Sequence, residues 1–541
     1  MLIEIKCDKF IEKDKVRDPI KLHKGLNVVL GTSDGKNSIG KSTFLMIIDY
    51  IFGGSDYLEK CRDVQKHIQD HTICFCFEFD GNLYYFSRFS KTPNIVNVCD
   101  KDYNIIDSWT LDQYFDFLKE KYNMPEKLTV RGSIGKYFRV FGRPTINEDY
   151  PLKNVSTDNN EESIRNFIRL YEKYDPIDSL AKKKDSIEKE KLAFKRSSEY
   201  KFITATTTKT VYKKNEKRIQ ELQSQLDQLV KDNIDKNTDL DSFKAQQLLE
   251  LKVNLSKLKR ERTKLHSRKD IVGFNKEKKV FQKNFDQLKK FFPNANIKEL
   301  QDIESFHIGL ENILYNQIKQ ENDKIEDELT MVENSIIYIQ KQIEAFNAEK
   351  ELTTSFLKQY TTINEELQKL REANSNFEKS KDYEVRLKEA KKELKEVQIQ
   401  ITNEIQTDIN KKMDEINDYV YQGHKIGPKL TISDIDSTEF FTPEDDGTGS
   451  RYCGLLIFDL ASLEALHIPV ICHDSILLKQ IGDEPLQKLF ELYQKSEKQI
   501  FVAIDKKESY PLEMQKIIDD NRVLYLYPNG GELFGKAWNK K

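Results

Sequence analysis

The chain has 541 residues, of which 33% are charged and 38% hydrophobic, and a formal net charge of −3. That is more chain than one ordinary domain needs, yet the balance suits long exposed helices better than several full cores. The near-neutral charge excludes a generally basic nucleic-acid coat, so any such contact must come from local patches.

The opening, MLIEIKCDKF, lacks an apolar signal-peptide core, and no apolar run reaches membrane-spanning length. Cysteines 7, 61, 74, 76, 99, 453 and 472 form no CxxC pair and no regular disulfide spacing. These features predict a cytoplasmic protein without membrane contact. The first clear element is a short apolar strand, Leu26–Leu30. After it comes Gly35-Lys36-Asn37-Ser38-Ile39-Gly40-Lys41-Ser42, a full match to G-x-x-x-x-G-K-[ST], and then an apolar helix from Thr43. Glycines let backbone N–H groups wrap close to phosphate, and a helix N-terminus adds partial positive charge there. Lys41 supplies a point charge to the β and γ phosphates, while the Ser42 hydroxyl, with Thr43 beside it, suits Mg²⁺. A chance glycine-rich turn is the alternative, but strand, loop and helix stand in the right order. ATP and Mg²⁺ are the cofactors this predicts. Next, the runs Ile73–Phe79 and Leu83–Phe89 flank Asp80-Gly81-Asn82, a hairpin signal.

Between Pro176 and Pro428 the only proline is Pro293. Proline costs about 3 kcal/mol inside a helix, so this stretch can be nearly continuous helix. Ile219, Leu222, Leu226 and Leu229, then Leu248, Leu251, Leu255, Leu258 and Leu265, follow 3-4 spacing. Beyond Pro293, Ile325, Leu329, Val332, Ile336, Ile339 and Ile343 do the same. Each helix therefore carries one apolar stripe that demands a partner. A helical bundle or a parallel dimer would share this periodicity. The break near the middle, with Phe291-Phe292-Pro293-Asn294 and Phe306-His307, favours antiparallel self-pairing around a turn. Arms of about 80 residues would span roughly 120 Å. The expected organisation is residues 1–175 as the first half of a head, 176–266 as an ascending arm and 267–315 as a tip. Residues 316–415 then form a descending arm, and 416–541 the second half of the head.

Lys182, Lys183, Lys184, Lys191, Lys195 and Arg196 lie where the first arm leaves the head. They could contact DNA phosphates, although a solvated helix face with interleaved glutamates reads the same way. Past the arms, apolar runs at Ile468–Cys472, Ile500–Ile504 and Arg522–Leu526 accompany helical stretches, as in an α/β sheet. A phosphate loop needs a carboxylate for its metal at the end of an apolar strand, and Asp474 stands at such a position. A strand followed by a surface aspartate is common. The phosphate loop at the far end of the chain is what favours Asp474. His467 and His473 have no third metal ligand in view.

An N-terminal phosphate loop, a long coiled coil and a C-terminal magnesium carboxylate resemble the layout of SMC proteins and related ABC-type ATPases. Asn37-Ser38-Ile39-Gly40-Lys41-Ser42-Thr43 is similar to their N-G-x-G-K-S-T loop. Gly454-Leu455-Leu456-Ile457-Phe458-Asp459-Leu460 with His473-Asp474-Ser475, Phe306-His307 and Leu533-Phe534-Gly535 resemble the YydD-like coiled-coil ATPases. The resemblance implies an α/β ABC-type head assembled from both halves, with an antiparallel coiled coil. It implies an ATPase whose two copies engage through ATP and clamp DNA of any sequence. It further implies effector and middle subunits of a bacterial defence operon, including the Lamassu type, as partners. In that class a serine-glycine-glycine loop caps the partner copy's ATP, and Gly447, Gly449 and Ser450 of Asp446-Gly447-Thr448-Gly449-Ser450 are the candidates here.

Two departures bear on catalysis. Ser475 stands where a catalytic glutamate normally follows the magnesium carboxylate, and Asp505 stands where a switch histidine is normal. Serine is no comparable general base at neutral pH. Asp505 and Glu484 are the remaining carboxylates to consider. A nucleotide-binding scaffold with little hydrolysis is thus the rival to an ATP-driven clamp. A nuclease reading finds no paired carboxylates or histidine cluster.

Overall fold

The computed structural model describes residues 1–32, 38–125, 127–154, 159–200, 203–235, 242–273, 322–345 and 354–538. The chain divides into two compact units, one joining Met1–Lys189 to Val385–Lys541, the other Glu190–Glu384.

The first unit is α/β. In chain order its strands are β1 (Leu2–Lys6), β2 (Ile11–Glu12), β3 (Lys15–Val16), β4 (Ile20–Lys21), β5 (Gly25–Leu30), β6 (Thr72–Phe79) and β7 (Asn82–Phe89). There follow β8 (Ile95–Cys99), β9 (Ile105–Thr110), β10 (Phe138–Arg139), β11 (Lys429–Asp434) and β12 (Ser437–Phe441). The last are β13 (Val470–His473), β14 (Gln499–Ile504) and β15 (Arg522–Tyr525). Among the described residues one sheet runs β4-β1-β6-β7-β8-β9 and is antiparallel. The expected hairpin is its centre. Asp80 and Gly81 both take positive φ, 52° and 75°, as the twist-matched two-residue turn requires.

The other sheet runs β10-β13-β14-β5-β15, and every pairing in it is parallel. Two strands come from the N-terminal segment and three from the C-terminal one, so neither segment makes this sheet alone. Ile500 pairs with Leu26 and Ile504 with Leu30. All six residues of β5 and of β14 are buried, as continuous apolar strands covered on both faces should be. The Gln499 side chain ties this sheet to the first. It accepts from Leu2 N–H at 2.9 Å and donates to Leu2 C=O at 2.7 Å.

Helix Lys41–Ile51 packs into the shared core with Phe44, Leu45, Ile47 and Ile48 fully buried. Each such side chain contributes about 1.5–3 kcal/mol relative to exposure. Its C-terminal carbonyls, which lack helical partners, meet Arg88 of β7. That guanidinium donates to Tyr50 and Gly54 carbonyls and lies 3.8 Å from the Tyr50 ring centroid. The start of helix Asp175–Glu199 and the end of the long helix Thr354–Tyr421 run antiparallel. Lys183 pairs with Glu393 and Lys391 with Glu188. Ile405, Ile409, Met413, Ile416 and Val420 continue the apolar stripe of the long helix into the core.

The second unit is helical. Helix Lys209–Asp235 runs antiparallel to the long helix. Tyr212 meets Phe377 at 5.3 Å, Asn215 donates to Asn374, and Leu222 and Leu226 bury against Leu367. Leu265 of helix Ser242–Gly273 packs on Ile325 and Leu329 of a helix at 322–345. Arg218 of the first of these helices pairs with Glu366, and Arg260 of the next pairs with Glu365. Two helices expected end to end in one straight ascending arm therefore lie beside the same turn of the long helix. The sequence between them, Asp235-Lys236-Asn237-Thr238-Asp239-Leu240-Asp241, is rich in side chains that compete with helical hydrogen bonds. Helix also continues to Gly273, past the expected start of the tip at 267. Most of that tip, with Pro293 and Phe306-His307, lies outside the described residues. No described helix is long and apolar enough to cross a membrane.

Candidate functional site

Because β5, β14 and β13 are parallel neighbours, their C-terminal ends share one edge. Open parallel sheets bind ligands at that edge. Three segments leave it: Gly31 with the phosphate-loop motif after β5, Asp505 after β14, and Asp474 after β13. Gly31 N–H donates to Ile504 C=O at 2.8 Å, which holds the first two together.

Of the motif, Gly35, Lys36 and Asn37 lie outside the described residues. Ser38 has φ 62°, and Ile39 is buried. Gly40, at φ 100°, immediately precedes helix Lys41–Ile51. A Cβ there would fall 2.5 Å from Leu533 Cβ, so both its backbone angle and its neighbour require glycine. Lys41 opens the helix and is buried, with Nζ 3.3 Å from Asp505 Oδ2. A Cβ on Gly31 would come 3.0 Å from the Lys41 ammonium, so the missing side chain makes room for the lysine. Ser42 and Thr43 are half-buried beside it.

Asp474 is almost wholly buried and caps the short helix Ser475–Leu478. Its Oδ1 accepts from Ser475 N–H at 2.7 Å and from Ser475 Oγ at 3.2 Å. Its Oδ2 accepts from Phe141 N–H at 3.0 Å, beyond β10. Two backbone donors fix the carboxylate at the sheet edge, where a metal partner of the phosphate loop belongs. A carboxylate, a hydroxyl and phosphate oxygens suit Mg²⁺, which keeps much of its water and needs no all-protein cage. The residues thus fit a nucleotide with its metal. Among the described residues there is no group of three or more histidine, cysteine, aspartate or glutamate side chains arranged for a metal ion.

His467 pairs with Glu172, whereas His473 belongs to a buried polar network behind Asp474. Arg139 of β10 donates to both oxygens of Asp459, at 2.8 and 2.6 Å, and to the Thr145 and Pro151 carbonyls. His473 Nε2 meets Asp459 at 3.2 Å, and its Nδ1 meets the Tyr493 hydroxyl at 3.0 Å. Burial alone would raise the Asp459 carboxyl, but Arg139 and His473 hold it below its ordinary range. Burial lowers His473 and keeps the imidazole neutral.

Residues 413–538 match the model of a family described as an uncharacterised protein conserved in bacteria, DUF2326. No curated protein matches the chain. Among solved structures, the chain is similar to an Smc head domain with a coiled coil and joint from Pyrococcus yayanosii. That likeness has 14% identity and a TM-score of 0.41, over 97% of this chain and 94% of the other. The chain is also similar to an Smc head domain with an extended coiled coil, bound to the C-terminal domain of ScpA, from Pyrococcus furiosus. Here identity is 11% and the TM-score 0.36, over 99% of this chain and 95% of the other. Superpositions this loose transfer no residue roles.

The loop Asp446-Gly447-Thr448-Gly449-Ser450 has local duties of its own. Asp445 accepts from Gly447 N–H at 3.1 Å, from Ser450 Oγ at 2.6 Å and from Lys425 at 3.1 Å. A Cβ on Gly449 would lie 2.6 Å from the Gln480 carbonyl. Turn closure and a tight backbone approach therefore account for these residue types without a ligand. The helix they open, Thr448–Ala465, has no side-chain cap, so its first N–H groups stay available.

Of the basic cluster, Lys182 pairs with Asp178, Lys183 with Glu393, Lys184 with Asp185, and Lys195 with Glu199. Exposed pairs of this kind are worth about 0–1 kcal/mol and yield readily to phosphate. Lys191 and Arg196 lie on the same helix. Glu484 stands at the start of helix Asp483–Lys495, in contact with Gln422. Sequence reasoning missed Lys479, whose Nζ is 3.1 Å from Asp505 Oδ2. It also missed the packing of Gly31 and Leu533 on the motif. Asp505 carried a signal, as a charge directly after the apolar run Ile500–Ile504.

Proposed function

We propose that the first unit is a nucleotide-binding ATPase head for ATP and Mg²⁺. Lys41 and the loop residues Gly35 and Asn37 to Thr43 would hold the phosphates, with Ser42 and Asp474 serving the metal. The observation that supports this reading is the parallel order β13-β14-β5, in which Asp474 and Gly31 follow strands that end on one edge although they are far apart in sequence. Mg²⁺ would supply charge neutralisation at the phosphates. Lys41 adds a buried positive charge beside them, and the start of its helix adds backbone N–H groups.

Two copies close on nucleotide in this reading, with Gly447, Gly449 and Ser450 of one copy facing the other's phosphates. Binding energy then shifts an open–closed equilibrium, because nucleotide touches both copies only when closed. Lys182, Lys183, Lys184, Lys191, Lys195 and Arg196 would take DNA phosphates without reading sequence. The resemblance to YydD-like ATPases extends the proposal to control of an effector in a bacterial defence complex. The test is sedimentation of the full chain with Mg-ATP, with and without linear DNA, recording phosphate release on the same samples. An ATP-dependent dimer that releases phosphate faster with DNA, and that Lys41→Ala abolishes, is the expected result. A monomer under every condition would sink it.

A second reading rests on Ser475. Its hydroxyl donates to Asp474 and is no general base, which favours a nucleotide-locked scaffold that holds effector subunits inactive. Dimerisation without phosphate release would select it.

A further inference from the structure

Asp505 is buried at the end of β14, between the strand that leads to the phosphate loop and the strand that leads to Asp474. Two ammonium groups share its Oδ2, Lys41 at 3.3 Å and Lys479 at 3.1 Å. Neither lies along a hydrogen-bond direction to that oxygen, which has no aligned donor. That oxygen is thus held by charge rather than by directed bonds, and a phosphate oxygen can compete with it for both ammonium groups. The two lysines differ in freedom. Lys41 is confined by its helix and by the space that Gly31 leaves. The Lys479 side chain is 42% exposed and ends the turn that Asp474 caps, so its long stem can swing. A phosphoryl group that reached Asp505 would meet both cations, which converge on one of its oxygens.

We propose that Lys479 is a terminal-phosphate-reading residue and that Asp505 is its counter-charge: Asp505 holds Lys41 and Lys479 in the absence of nucleotide, and a γ-phosphate draws both lysines from it. The proposal rests on the nucleotide-binding reading and adds what that reading lacks, a group that tells a triphosphate from a diphosphate. Lys41 serves any nucleotide that reaches the loop, whereas Lys479 serves one that extends toward Asp474. Asp505 is a competitor for the phosphates, so its charge weakens nucleotide binding even though it orders the two lysines.

The experiment is isothermal titration of the full chain with Mg-ATP and, separately, Mg-ADP, on wild type, Lys479→Met, Asp505→Asn and Lys41→Ala, with thermal melting as a check on folding. Lys479→Met is expected to weaken Mg-ATP about tenfold, as for the loss of one charge-assisted contact, and to leave Mg-ADP within about twofold. Asp505→Asn, which keeps shape and removes charge, is expected to tighten both. An unchanged ATP-to-ADP ratio in Lys479→Met would overturn the assignment of Lys479. Weakening of both nucleotides in a folded Asp505→Asn protein would show that Asp505 builds the site rather than competing in it, and would overturn the counter-charge role. If wild type binds neither nucleotide, the nucleotide reading itself fails and takes this inference with it. If wild type binds both and Lys41→Ala binds neither, that reading stands whatever Lys479 does.

Discussion

Arg139 and Asp459 form a two-pronged ion pair in which both side chains are fully buried. Arg139 comes from the N-terminal segment and Asp459 from the C-terminal one, so the pair joins the two halves of the first unit behind Asp474. Removing one partner leaves the other charge buried and unpaired, which costs about 3–5 kcal/mol. Asp459→Ala is expected to lower the unfolding free energy by that amount, read as a lower denaturant midpoint at unchanged slope. Arg139→Met combined with Asp459→Leu should recover much of it. A double variant as unstable as Asp459→Ala would show that the pair's hydrogen bonds to Thr145 and Pro151, rather than its charges, hold the halves together.

The same network sets a pH dependence. His473 titrates below its ordinary range because burial disfavours the imidazolium, and His71 is lowered for the same reason. An unfolded histidine takes up its proton near pH ~6.5, so the unfolded state binds more protons below that value and stability falls as pH drops. Asp459 adds to the loss only further down. Its carboxyl is held low, so its contribution is full above about pH 4 and disappears as pH falls through its folded value. Urea midpoints between pH 7.5 and 5.5 should therefore decline. His473→Gln should show a shallower slope by one proton's share, even if its absolute stability is lower. A slope identical to wild type would take His473 out of this account.

Much of the parallel sheet was legible because its strands are mostly apolar, although Asn27 interrupts β5 and β15 is largely uncovered. Leu26–Leu30, Ile500–Ile504 and Arg522–Leu526 fall within a residue or so of the strands they predicted. The Asp80-Gly81 turn was legible because only a few residue types tolerate positive φ at both positions. What the sequence hid was adjacency. Nothing local says that Lys479 and Lys41 share Asp505, or that Leu533 lies on Gly40, because both depend on how distant strands are ordered. The arms were half legible. The 3-4 spacing marks the apolar faces but is the same whichever helix covers them, so Arg218 and Arg260 reaching adjacent glutamates was invisible.

Gly31 offers a test of the phosphate loop that spares the fold. An added Cβ would sit 3.0 Å from Lys41 Cδ and Nζ and 3.3 Å from Asp505 Cβ. The end of the Lys41 side chain would be pushed from its place, while the buried apolar core need not move. Gly31→Ala should melt within a few degrees of wild type yet bind Mg-ATP on the order of tenfold more weakly, a cost of about 1.4 kcal/mol. Equal affinity would mean that the Lys41 position seen here has no bearing on nucleotide.

The helical unit separates packing from surface charge. Leu222 and Leu367 are each about 1% exposed and belong to one small apolar cluster. Arg218 and Glu366, close by, are more than 40% exposed. Leu222→Ala should cost about 2–5 kcal/mol locally. Arg218→Ala should cost no more than about 1 kcal/mol. Hydrogen exchange along residues 209–235 reads both. Comparable loss of protection in the two variants would contradict a hydrophobic seam.

Leu533 places the C-terminal segment against Ile39 and Gly40 of the glycine-rich motif. Its N–H donates to Ile39 C=O at 3.0 Å, its own carbonyl accepts from Ile11 N–H at 3.2 Å, and its side chain is buried against Gly40. The segment is anchored on both sides of that contact. Arg17 donates to the Gly531 carbonyl at 2.8 Å, and Trp538 stacks on His67 at 5.1 Å. Leu533→Ala keeps the backbone bonds but opens a space beside the left-handed Gly40, at a cost of about 2–5 kcal/mol. Because that space borders the loop, Mg-ATP affinity should fall along with stability. Trp538→Ala loosens the same segment further from the loop, so it should lower the melting temperature and leave affinity near wild type. If both variants lose stability and neither loses affinity, Leu533 is a core residue that happens to touch the loop. If only Leu533→Ala weakens Mg-ATP, the C-terminal segment sets the shape of the phosphate loop.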